Sequence, residues 1–313
     1  MKKLMITAMS ILSLLTVAAC GQSAPQQSAP AQNAPAASAP ATTKTPKSGA
    51  DQKIASMSIH LTNNLLALGI TPVGSVIGGD VKAFLPHVAD RLKDTKPLGV
   101  VTDPDMEAVL ALKPDVIYLD EAYSGKDVAK FEKIAPTHVF NLDEGTWRDT
   151  LKKTGALVKR EAEAETFIAD YEEQTKRVKG LIHDKLGDGA KVMAIRVTAK
   201  ELRVFGMKRP MGPILFEDLG LQPANGVEKI DKAYAVISQE VLPDFDADAI
   251  FVVVNAGDEA KKVYDQLQAN PLWQGLTAVK KNQIYIIGAQ PWLDYSAIGN
   301  KMAMDEAEAF FKK

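Results

Sequence analysis

Cysteine is almost absent: one residue, Cys20, in 313. A single thiol cannot close an intrachain disulfide, so the fold has to be held by its core alone. Histidine is scarce too, and His60, His87, His138 and His183 show none of the spacings that gather metal ligands. Charge of one sign is also missing. Against 37 Lys and Arg stand 39 Asp and Glu, a net charge of −2 with the signs interspersed, which argues against a nucleic-acid binder and its strong basic excess. A Gly-rich phosphate loop, a nucleophile elbow, an HExxH motif and a cysteine nucleophile are all lacking, so the chain does not read as an enzyme. Asp244-Phe245-Asp246-Ala247-Asp248 starts like a calcium loop, but Ala249 and Asn255 stand where that loop needs Gly and Glu.

What is present begins with an address. Met1-Lys2-Lys3 is a basic start, and LMITAMSILSLLTVAA is an apolar stretch too short and too early for a membrane span. It ends in Val17-Ala18-Ala19-Cys20, which resembles the lipobox of a bacterial lipoprotein signal peptide. That resemblance implies a signal peptide over 1–19, cleavage before Cys20, and acylation of its thiol. Residues 20–50 then comprise the lipidated Cys and an Ala/Pro/Ser/Gln tract without a large apolar side chain, expected to be a disordered tether. The remaining chain, roughly 260 residues, exceeds what one core usually organises, so two lobes are expected.

Short β-branched runs recur: IASMSI, TPVGSV, DVIYL and THVFNL, then KVMAIRV, ELRVFG, DAIFVVV and QIYIIG. Several are apolar throughout, as in strands of a mainly parallel sheet covered on both faces. The halves echo each other. Glu107 lies eight residues before Asp115 and its strand, and Glu240 eight residues before Asp248 and its strand. Between the halves, Ala164, Phe167, Ile168, Tyr171, Thr175, Val178, Leu181 and Ile182 form one apolar helical face, and Gly187 and Gly189 look like its stop. Glu172 to Lys176 and Glu173 to Arg177 have the spacing of supporting ion pairs.

One stretch raises a question. AIRVTAKELRVFGMKRP (194–210) reads as two buried strands, yet holds Arg196, Arg203 and Arg209. Unpaired buried guanidinium is costly, so these side chains either reach the surface or point into something negative.

Along nearly its whole mature length the chain resembles the class III substrate-binding lipoproteins of ABC importers, the iron-siderophore and cobalamin type. The stretches that carry the resemblance are LLALGITPVGSV, LGVVTDPDMEAVLALKPDVI, FEKIAP, ILFEDLGLQPA, SQEVLPDFDADAIFVV and PLWQGLTAVKKNQIYII, in that order. It implies an α/β fold of two Rossmann-like lobes with mainly parallel sheets, joined by one long rigid helix. The lobes are expected at 51–157 and 188–313 and the helix at 158–187.

The function so implied is an extracytoplasmic receptor, lipid-anchored on the cell membrane of a Gram-positive bacterium. It would bind a ferric siderophore between the lobes and deliver it to an ABC permease dimer with a cytoplasmic ATPase. It would act as a monomer, with no cofactor and no protein side chain on the iron. Ferric citrate, cobalamin or haem are alternative ligands, and a surface-anchored enzyme or adhesion module is the alternative class. The resemblance makes Arg196, Arg203 and Arg209 candidates for the anionic face of the ligand. Trp292, Tyr295, Tyr123 and His60 are candidates for the cleft wall and floor, whereas Trp273 looks structural. Glu107 and Glu240 match one permease-docking glutamate per lobe. Val101 and Ala122 stand where relatives often carry a basic residue, which makes a highly charged catecholate complex a poorer fit.

Overall fold

The computed structural model describes residues 49–79 and 81–312. Cys20, the signal peptide and nearly all of the expected tether lie outside the described residues. The end of that tether does not. Gly49 opens a short 3-10 turn, Gly49–Asp51, with φ +72° and the Val158 carbonyl oxygen 2.8 Å from where a Cβ would stand. Only glycine fits there, so the folded body already includes residue 49.

The first sheet comprises β1 (Ile54–Ser56), β2 (Gly74–Ile77), β3 (Lys96–Val100), β4 (Asp103–Pro104), β5 (Val116–Asp120) and β6 (Thr137–Phe140). Their order is β4-β3-β2-β1-β5-β6, parallel except between β3 and β4. The second comprises β7 (Lys191–Val197), β8 (Leu202–Phe205), β9 (Gln222–Pro223), β10 (Tyr234–Ile237), β11 (Ala249–Val254) and β12 (Ile284–Ile287). Here the order is β10-β8-β7-β11-β12, with β9 beside β7; β8 alone is reversed, antiparallel to both β7 and β10. Each of the eight β-branched runs forms a strand. Those at β5, β7 and β11 are buried almost throughout, because both sheet faces are covered. Four strands were hidden in the sequence, two of them, β4 and β9, only two residues long. β3 is interrupted by Pro97 and Gly99, and β10 is an edge strand with alternating exposure.

The connecting helix is Glu161–Leu186, 26 residues, or about 39 Å. It does not begin at 158: Val158 closes the preceding helix, Trp147–Val158, where Lys159 turns left-handed at φ 56°. Ala164, Ile168, Tyr171, Thr175, Val178 and Ile182 are its buried face, and Gly187 ends it at φ 87°. The ion pairs expected along this helix yield to longer-range ones. Glu172 faces Arg148 at 3.4 Å and Arg177 faces Glu308 at 3.8 Å. One apolar core runs along the helix from Leu61, Leu65 and Tyr118 of the first lobe to Val192 and Phe251 of the second, together with the C-terminal helix Ala297–Phe311. The lobes therefore share a core rather than hanging as separate beads. Separate clusters cover the far face of each sheet.

The internal repeat extends to single hydrogen bonds. The Lys53 amide donates to Asp115 Oδ2 (2.8 Å), and the Asp115 amide returns to the Lys53 carbonyl (2.9 Å). In the second lobe Lys191 donates to Asp248 Oδ2 (3.0 Å), and Asp248 returns to Lys191 (2.7 Å). Each aspartate is preceded by a seven-residue helix, Met106–Leu112 or Gln239–Phe245, ending in a left-handed residue, Lys113 or Asp246. The second is 3-10, with Pro243 inside it, since proline lacks the N–H that an α-helical bond needs there.

Candidate functional site

In an open parallel sheet the crevice for a ligand lies beyond the carboxyl ends of the strands, where the strand order reverses. In the first lobe that point is between β1 and β5, from which the chain runs into Ser58 and His60 on one side and Asp120 and Tyr123 on the other. Ser58 caps the helix Ile59–Ala67, which fixes His60 in its first turn. In the second lobe the ends of β7, β11 and β12 carry Arg196, Asn255 and the 289–296 segment.

Residues of both lobes enclose a cavity of about 280 Å³, lined among others by His60, Trp147, Arg148, Arg209, Glu217 and Tyr295. Three sequence candidates meet at its wall. The His60 and Tyr295 rings stack with centroids 3.5 Å apart, and the Arg209 guanidinium lies 4.0 Å from the Tyr295 centroid. Arg209 also donates through Nε (3.0 Å) and an Nη (2.6 Å) to Asp143 Oδ1, tying a second-lobe loop to a first-lobe loop. Burial pushes the Tyr295 hydroxyl well above its ordinary range, so the ring is neutral. Asp120 is fully buried at the end of β5. Burial pushes its carboxyl up, outweighing the Ala122 amide, the charges of His60 and Arg209, and the Ser58 hydroxyl.

Arg196 and Arg203 sit elsewhere. They are direct cross-strand neighbours on β7 and β8. Arg196 Nε donates to Asn255 Oδ1 (2.6 Å). Arg203 pairs with Glu201 (2.5 Å) and lies 4.2 Å from the Tyr234 ring centroid. Each therefore points at a polar or negative partner within the second lobe, and neither lines the cavity. Tyr123 is 48% exposed and lines a separate pocket with Asp103, Asp127 and Lys130. Glu107 and Glu240 are exposed in the first turns of their matching helices.

Trp292 is not a cleft residue. It is fully buried, its ring against Phe251 at 5.8 Å, and its Nε1 donates to Glu306 (2.6 Å). The C-terminal helix supplies that acceptor and turns the indole into the core. Trp273 is buried edge-on against Tyr264. The tryptophan at the cavity is Trp147, which sequence reading missed. It follows Thr146, whose side chain and Asp149 form a reciprocal capping box, so the turn Gly145-Thr146-Trp147 is set by local chemistry. Arg148, next to it, pairs with Asp218 at 2.9 Å, and Asp218 also accepts from the Tyr171 hydroxyl at 2.7 Å.

The largest omission was Asp294, buried between the histidines of the first lobe. It accepts from His60 Nδ1 (2.9 Å) and Asn63 Nδ2 (2.6 Å), and pairs with His87 Nε2 (3.0 Å). Among the described residues, no group of three or more His, Cys, Asp or Glu is arranged to hold a metal ion, and no helix is long and apolar enough to cross a membrane.

Two α/β lobes about one long helix, enclosing a cavity lined by aromatic, charged and apolar side chains, define a two-lobe ligand-binding protein. The chain belongs to the periplasmic binding protein family, whose model matches residues 54–291, and it is a substrate-binding protein rather than an enzyme. It is 27% identical to the iron-uptake system-binding protein of Bacillus subtilis over 99% of this chain and 98% of that protein. To the probable siderophore-binding lipoprotein YfiY of the same organism it is 30% identical, over 84% and 83% of the two chains. Among solved structures, Staphylococcus aureus SirA complexed with staphyloferrin B matches with a TM-score of 0.73 and 27% identity, covering 84% of this chain and 94% of that one.

Proposed function

We propose that this chain is the extracytoplasmic receptor of an ABC iron-uptake system. It binds a ferric siderophore between its lobes and hands it to a permease dimer, whose ATPase drives import. The observation that carries the reading is the end-to-end likeness to an iron-uptake binding protein, in a chain whose interlobe cavity has a charged arginine in its wall. The iron is cargo and arrives already coordinated. What the protein has to supply is recognition of the complex's outer oxygens, for which a planar, permanently charged guanidinium is suited.

In this reading Arg209 and His60 meet the ligand at the cavity, and Arg196, Arg203 and Tyr123 meet it further out along the cleft. Glu107 and Glu240, repeated at equal spacing before Asp115 and Asp248, dock one to each permease subunit, since a symmetric dimer requires paired contacts. Cys20 carries the lipid that holds the receptor at the outer face of the membrane, and a likeness to a lipoprotein supports that role.

The test is a fluorescence titration of residues 21–313 with ferric citrate, ferric staphyloferrin B and ferrichrome. Saturable quenching by an anionic complex supports the arginine site. A preference for uncharged ferrichrome keeps the receptor and shifts recognition toward Tyr295 and Tyr123. Silence with all three sinks the ferric-siderophore reading, and cobalamin and haem become the next ligands to titrate.

A further inference from the structure

Taking the cavity as the ligand site, as proposed above, its floor has a protonation problem. Asp294 is 2% exposed and accepts on both oxygens: His60 Nδ1 (2.9 Å) and the Ser296 amide (3.1 Å) on Oδ1, Asn63 Nδ2 (2.6 Å) and His87 Nε2 (3.0 Å) on Oδ2. Burial alone would push this carboxyl up, but the bonds and charges of His60 and His87 hold it well below the usual carboxylate range. The carboxylate is therefore ionised. In the free protein four donors on its two oxygens answer this charge. An anionic oxygen arriving in the cavity would bring a second negative charge beside it, and one added proton on an imidazole offsets that charge.

The two rings are unequal receivers of that proton. His87 Nδ1 is buried with no partner among the described residues, so a proton there would be a buried, unpaired N–H. His60 already gives Nδ1 to Asp294, and its ring lines the cavity, so Nε2 is the nitrogen left for an incoming atom. The other groups facing His60 are Tyr295, which stacks on the ring, Arg209, which caps Tyr295, and Asp120 at the end of β5, whose carboxyl a charge on His60 favours as an anion.

We propose that His60 takes up one proton from solvent as an anionic oxygen of the ligand enters the cavity, so that capture is coupled to protonation of the receptor. In the bound state Nδ1–H donates to Asp294 and Nε2–H donates to the ligand. Asp294 and His87 are positioning residues that hold the ring and its charge. The ligand class narrows to ferric complexes that present a carboxylate or other anionic oxygen to the floor. The sign follows from linkage: the ligand holds the proton on the ring. Affinity is therefore greatest on the acid side and falls as pH rises, by up to about tenfold per pH unit over the range in which binding takes up the proton.

The test is calorimetry of the full-length chain with ferric citrate and ferric staphyloferrin B, in two buffers of different ionisation enthalpy. The difference between buffers counts protons. The wild type should take up close to one proton more than His60→Gln, with His87→Gln retaining most of the uptake. Equal uptake in wild type and His60→Gln overturns the proposal. If His60→Gln fails to fold, long-range proton–nitrogen spectra of the wild type decide. His60 Nε2 should change from a bare nitrogen to N–H when the complex is added, and an unchanged signal overturns the proposal. Binding without proton uptake removes this inference alone, whereas no binding by either complex removes the anionic-ligand reading on which it rests.

Discussion

The two lobes are copies at one end and opposites at the other. At the amino ends of their strands, Lys53 with Asp115 and Lys191 with Asp248 make the same pair of hydrogen bonds. At or beyond the carboxyl ends of the parallel strands the first lobe places Asp120 and Asp143, and the second places Arg196 and Arg209. The repeated end is scaffold. The divergent end is where a binding site can be grafted without disturbing the fold. The contrast is sharpest in two buried aspartates. Asp120 is disfavoured as an anion by burial, whereas Asp294 is held as one by two histidines.

Removing the second aspartate is the strongest way to break that contrast. Asp294→Ala leaves the donors of His60, His87 and Asn63 without their acceptor, and should cost about 3 kcal/mol or more in denaturant melts. The pH signature has a definite sign. Asp294 has a depressed folded value, so its stabilisation is complete above the unfolded carboxylate range, about 3.9, and disappears as pH falls toward the folded value. Asp294→Asn should therefore flatten the acid limb of stability against pH. For Asp120 the sign is opposite, since a raised folded value means that ionisation costs stability as pH rises. Asp120→Asn should leave stability at pH 7 unchanged or higher, and a large loss there would refute the contrast.

Next in size is ligand affinity. Arg196→Ala should weaken binding about tenfold or more, about 1.4 kcal/mol; unchanged affinity would take Arg196 out of the site. Arg203→Ala should matter less, about twofold, because its guanidinium is already engaged by Glu201 and Tyr234. Smaller still is the effect on affinity of Trp147→Phe, yet this variant should lose most of the ligand-induced fluorescence change. Trp292→Phe should keep that change, because Trp292 lies in the core. Glu107→Ala and Glu240→Ala should leave affinity alone and abolish uptake in cells when combined.

Much of this arrangement was legible in the residues. Eight β-branched runs became strands, and the face from Ala164 to Ile182 became the buried side of the long helix. These are periodic signals, and periodicity survives without knowing the partner. His60, Arg209 and Tyr295 were named as separate candidates, but nothing local says that they stack. Trp292 was misjudged for the same reason. Its neighbour Tyr295 faces the cavity and Trp292 does not, and the difference is decided by Glu306, 14 residues later on another helix. Asp294 lay in plain view between the two, but its meaning depends on His60 and His87, more than 200 positions away.

The ties between the lobes also differ in how they meet dissolved ions. The Asp143 side chain that holds Arg209 is 69% exposed, whereas that of Asp294 is 1% exposed. Mobile ions screen charges over about 8 Å at physiological ionic strength, and they act on groups that water reaches. Brine should loosen the Arg209 link at the rim while the floor beneath it stays fastened. A protein that works outside the cytoplasm cannot choose the saltiness of its surroundings, and here the attachment that must not fail lies where those surroundings do not penetrate.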